Sequence, residues 1–124
     1  MANEISISLA FQLVNGYMRE SFQPGTLQVT QAAVGRAGHA QSIGFAASEV
    51  VDFGDVATNG YLILRNLDED NYVTYGPDDG ADAMVTLGKL KPGEVALLRV
   101  APTVVMRAQA NTAAVLLDCK LFED

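Results

Sequence analysis

The sequence predicts an all-β fold, an antiparallel β-sandwich of jelly-roll-like form with eight or more strands. Apolar residues alternate with polar ones in the clearest segments, the period of a strand with one face covered. Such segments recur at intervals of about ten residues with Gly, Pro, Asn or Asp between them, which is sandwich or barrel punctuation. No segment carries a long i, i+3, i+4 apolar pattern bounded by helix caps. The 124 residues amount to one domain, so a single sandwich over 1–124 is expected, with no linker and no internal repeat. An immunoglobulin-like sandwich competes, but it has fewer strands and often a buried tryptophan, a residue this chain lacks.

The N-terminal EISISLAFQLVN places Ile5, Ile7, Leu9, Phe11 and Leu13 on one side and mostly polar residues on the other, predicting a half-buried strand. Tyr17 to Gln23 gives a second strand, stopped by Pro24-Gly25, and TLQVTQAAVG resumes the alternation. HAQSIGFAA and SEVVDFG are shorter and weaker. GYLILRNL, NYVTYG, AMVTLGKL, EVALLRVA, TVVMRAQA and AAVLLDCKLF then follow as a regular series. In LKPGEVALLRV, Pro92 fixes φ near −65° and Gly93 tolerates a positive φ, the two central requirements of a type II turn.

Fifteen acidic residues against eight basic ones give a formal charge of −7, the wrong sign for a protein that gains affinity by neutralising phosphates. Nucleic acid and membrane surfaces are therefore not expected partners. The opening MANEIS lacks a basic region followed by an apolar run, so no secretory leader is expected. Cys119 is the single cysteine; set within AAVLLDCKLF, it reads as a buried structural thiol.

The stretch RNLDEDNYVTYGPDDG concentrates Asp68, Glu69, Asp70, Asp78 and Asp79, with Asp82 just beyond. Short carboxylates favour turns because they accept hydrogen bonds from nearby backbone N–H groups. NLDEDN is accordingly expected at a hairpin tip and PDDGADA in the next connection. Calcium held by converging loop oxygens is the alternative, although neither loop follows the EF-hand spacing. Paired-carboxylate glycoside chemistry would need a raised-pKa acid in a cleft, which exposed turns do not supply.

His39 is the only histidine, so neither a zinc set nor a Ser-His-Asp triad is indicated. It is expected to be a polar surface or interface residue. The glycines are scattered rather than grouped before a helix, so no phosphate-binding loop is present. No catalytic residue, metal ligand or cofactor is expected. Tyr17, Tyr61, Tyr72 and Tyr75 could stack on a sugar, which supports an alternative reading as a tail- or fibre-associated module binding a host-surface glycan.

Three segments, DFGDVATNGYLILRNLDEDNYVTYG, LGKLKPGEVALLRV and AQANTAAVLLDCKLFED, resemble a family of small virion structural proteins of tailed bacteriophages. The resemblance runs from about Asp52 to the C-terminus. It rests on G-D-V-x-T-x-G-Y, R-N-L-D, N-Y-V, L-K-P-G-E and the closing A-x-T-A-A-V-x-L with E-D. It implies a jelly-roll capsid decoration, or cement, protein on the exterior of the virion head, made in the host cytoplasm. The implied partners are the chain itself, as a homotrimer, and the phage major capsid protein, with no enzymatic activity. Independently, the N-terminal strand through Ile5, Ile7, Leu9 and Phe11 offers an edge for pairing with a neighbour. Arg99 and Arg107 are basic residues suited to engaging acidic patches on a lattice.

Overall fold

The computed structural model describes residues 3–124, and these form β-strands and connections with no helix. Two compact units are present, residues 3–33 and 34–124. The first is a two-stranded ribbon built from β1 (Ile5–Ser8), β2 (Phe11–Asn15), β3 (Met18–Phe22) and β4 (Thr26–Val29). β2 and β3 form a hairpin around Gly16-Tyr17, with Asn15 opposite Met18, and β1 pairs with β4 at the other end. Between the two ladders, Leu9 and Ala10 face three residues, Gln23, Pro24 and Gly25. The extra residue is accommodated where Gly25 takes a φ of 88°, a conformation glycine adopts without a Cβ penalty.

The second unit contains β5 (Arg36–Ile43), β6 (Glu49–Val50), β7 (Asn59–Asn66), β8 (Val73–Pro77), β9 (Gly88–Leu90), β10 (Val95–Arg99), β11 (Met106–Ala110) and β12 (Val115–Glu123). One sheet has the order β10-β7-β12-β5 and the other β6-β11-β8-β9, with every pairing antiparallel. The first of these eight strands pairs with the last, the second with the seventh, the third with the sixth and the fourth with the fifth. That nesting is a long hairpin rolled over itself, the eight-stranded jelly roll.

Burial follows the pleat. On β12, Val115, Leu117, Cys119 and Leu121 point inward and are essentially inaccessible, while Leu116 and Lys120 point out. Leu62 and Leu64 of β7 and Ile43 of β5 join them from the same sheet, and Val73, Leu90, Met106, Ala108 and Ala110 face them from the other. Because successive strands mostly alternate between sheets, the core is sealed by residues far apart in sequence. The turn expected at Pro92-Gly93 is present: Gly93 has a φ of 81° and the Glu94 N–H donates to the Lys91 carbonyl at 3.0 Å.

Two expectations need correction. NLDEDN is not a hairpin tip, because β7 and β8 belong to different sheets and the segment crosses between them. The N-terminal strand is not half-buried throughout: Leu9 and Phe11 are 53% and 52% exposed, since β1 and β2 pair only with β4 and β3.

Candidate assembly surface

The ribbon's registers sort its residues onto two faces. Ile5 opposes Val29 and Ile7 opposes Leu27 in one ladder; Phe11 opposes Phe22, Leu13 opposes Glu20 and Asn15 opposes Met18 in the other. The extra residue at Gln23 to Gly25 restores parity, so these pairs share one face with Leu9. The reverse face carries Ser6 with Gln28, Ser8 with Thr26, Gln12 with Ser21 and Val14 with Arg19. There the Ser8 and Thr26 hydroxyls lie 3.2 Å apart and Gln28 Nε2 donates to Ser6 Oγ at 3.5 Å. The ribbon is therefore amphipathic, with Glu20 the one charged residue among the paired positions of its apolar face.

That face is uncovered. Leu9, Phe11, Met18, Phe22 and Leu27 are each more than half exposed. At about 100 Å² apiece they present on the order of 500 Å² of apolar surface, a size that marks interaction sites on soluble chains. A lone two-stranded ribbon is at best marginally stable in water, because neither face is sealed. Of the residues singled out from the sequence, Ile5, Ile7, Leu9 and Phe11 are thus brought together on one surface.

Arg99 lies elsewhere, on the outward side of the sheet β10-β7-β12-β5. Its guanidinium sits 4.5 Å from the centroid of the Tyr61 ring and 3.0 Å from Asp124 Oδ1. Its hydrogen bond to Asp124, the leading cause, together with the Tyr61 side chain raises its pKa above the ordinary arginine value. Arg107 has an internal post on the second sheet. It is only 8% exposed; Nε donates to Ser48 Oγ at 3.0 Å, one terminal nitrogen to the Ser48 carbonyl at 2.9 Å, and the other to Asp78 Oδ1 at 3.4 Å. Sequence offers no sign of this, since an arginine in a strand reads the same whether solvated or clamped.

The acidic stretch organises backbone. Asp68 Oδ2 accepts from the N–H groups of Asp70 and Asn71, and Asp79 Oδ1 from those of Ala81 and Ala83. These bonds hold both carboxyls below the usual aspartate range, the Asn71 N–H leading for Asp68 and the Ala81 N–H for Asp79. Among the described residues, no three His, Cys, Asp or Glu side chains converge as a metal-holding group. The fully buried Asn66 anchors the same segment: its amide donates to the carbonyls of Asn71 and Leu90, and its oxygen accepts from the Asp68 N–H.

Tyr17 caps the ribbon turn, Tyr61 lies under Arg99, Tyr72 under the Lys89 ammonium and Tyr75 against the core. His39 is partly buried in β5, opposite Cys119, with Nε2 closed off and lacking a hydrogen-bond partner. Cys119 is buried, as its apolar setting predicts, and burial pushes its thiol up to about 12.

Comparisons with protein families, curated proteins and solved structures found no match to this chain.

Proposed function

We propose that this chain is a non-enzymatic virion protein of a tailed bacteriophage, a decoration protein that sits as a homotrimer on the capsid exterior and clamps neighbouring major capsid subunits. The observation that carries the reading is the ribbon's uncovered apolar face, an assembly element accompanied by a jelly roll with a filled core. The resemblance through R-N-L-D and L-K-P-G-E adds lineage; Asn66 and Gly93 give those motifs structural work and leave function to the exposed surface.

Decoration acts by mass action. A protein that binds only the assembled lattice raises lattice stability according to its concentration relative to its Kd. A trimer engaging several capsid subunits at once strengthens that effect without new kinds of contact. The net charge of −7 keeps a closely spaced array of copies soluble.

Electron cryomicroscopy of intact particles of the encoding phage tests the reading. Density for the jelly roll at three-fold positions on the head is the expected result. Density confined to the tail tip or fibres would sink it.

A further inference from the structure

The outward face of the sheet β10-β7-β12-β5 differs from the rest of this acidic chain. Its outward positions follow from the registers: Leu97 beside Ile63 beside Lys120 beside Gly38, and Val95 beside Arg65 beside Asp118 beside Ala40. Arg36, Arg65, Arg99 and Lys120 all lie there, half of the chain's eight basic residues. Asp118 is the one acidic residue in those central rows, and Asp124 is engaged by Arg99. Over the β5–β12 pair the face dips into a depression of about 520 Å³, lined by Gly38 and Ala40 with Arg36, Lys120 and Phe122 beside them and Asp118 as its one acidic residue. Small residues there leave room above the backbone, and the surrounding aliphatic stems and guanidinium favour an aromatic guest.

We infer that this depression receives the Phe11–Phe22 pair of a second copy, so that each ribbon lies on its neighbour's basic sheet face. The match is in shape, polarity and charge. The ribbon's apolar face presents two adjacent aromatic rings, and its one charged residue among the paired positions, Glu20, opposes a surface rich in arginine and lysine. The ribbon surface of roughly 500 Å² is too small to hold a pair alone against the roughly 800 Å² per partner of a standard interface. A head-to-tail ring doubles it, because every copy then contributes both ribbon and sheet face. Such a contact is heterologous, unlike the isologous contact formed if two ribbons stacked on each other. The inference deepens the homotrimer reading and rests on its self-association, not on capsid binding.

Sedimentation velocity on the full-length protein tests it. Phe11→Asp with Phe22→Asp removes the guest, and Ala40→Arg fills the depression; each site is exposed, and unchanged thermal melting of the sandwich checks folding. Wild-type protein sediments as a closed trimer, and each variant alone weakens association by roughly tenfold or more. Charge reversal gives a second reading: Glu20→Lys and Lys120→Glu each weaken association, and the double variant recovers it. A wild-type monomer or an Ala40→Arg variant that assembles normally overturns the inference. Variants that lose the solution trimer yet occupy capsids normally would leave decoration standing while excluding this contact's role in it.

Discussion

Phe11 and Phe22 stand directly opposite each other across the β2–β3 hairpin, and each is more than half exposed. Such a cross-strand aromatic pair steadies a hairpin by roughly 0.5–1 kcal/mol. That is too little to hold a ribbon with an unsealed face, so its order depends on what covers it.

Hydrogen exchange should expose this dependence. In dilute protein, amides of β2 and β3 are expected to exchange far faster than those of β7 and β12, which lie inside the jelly roll. Under conditions that favour assembly, ribbon amides gain protection while the sandwich changes little. Equal protection in both units at every concentration would refute the dependence.

Arg107 should matter for stability. Replacing it with Ala leaves Asp78 and the Ser48 groups without their shared donor, and breaking a largely buried ion pair of this kind costs about 3 kcal/mol. Arg107→Lys should recover only part of the loss, because an ammonium cannot reproduce the three-directional fork. Urea denaturation of the three proteins measures this; a near-neutral Arg107→Ala would show that the clamp is dispensable.

Asn66 offers a sharper chemical comparison. Asn66→Ala strands the carbonyls of Leu90 and Asn71 and should destabilise by about 2 kcal/mol. Asn66→Asp is expected to be worse above neutral pH, since it aims a carboxylate oxygen at those same two carbonyls. Melting temperatures at neutral and mildly acidic pH separate the two variants, and an Asp variant equal to wild type would contradict the donor assignment.

How far the sequence reveals all this depends on the range of the interactions. Strands such as GYLILRNL and AAVLLDCKLF are legible because their alternation is local, and so are the Pro92-Gly93 turn and the buried Cys119. The crossover at NLDEDN is not, because it follows from β7 pairing with β10 and β12, partners up to about sixty residues away. Alternation through Ile5, Ile7, Leu9 and Phe11 identifies an apolar face but cannot tell whether the same chain covers it. The basic sheet face is similarly hidden, since Arg36, Arg65, Arg99 and Lys120 converge only once the strand order is known.

Cys119 should be inert in the folded protein. The thiolate is the reactive species, and burial that pushes the thiol up to about 12 leaves almost none near pH 8. Alkylation with iodoacetamide is expected only on unfolding, with a rate that rises with denaturant as the native population falls. Rapid modification under native conditions would mean that β12 opens locally.

Acid titration tests the turn carboxylates. The folded-state pKa values of Asp68 and Asp79 lie below the ordinary aspartate value of 3.8 because backbone N–H groups bind their ionised forms. Their stabilising contribution is therefore fully present above that value and is lost as pH falls through the lowered folded values. Asparagine keeps an oxygen acceptor but cannot titrate, so Asp68→Asn with Asp79→Asn should change the melting temperature little near neutrality. As pH falls below about 4, the wild-type melting temperature should fall more steeply than that of the double variant. Parallel acid limbs for the two proteins would mean that these hydrogen bonds do not distinguish the folded from the unfolded carboxylates.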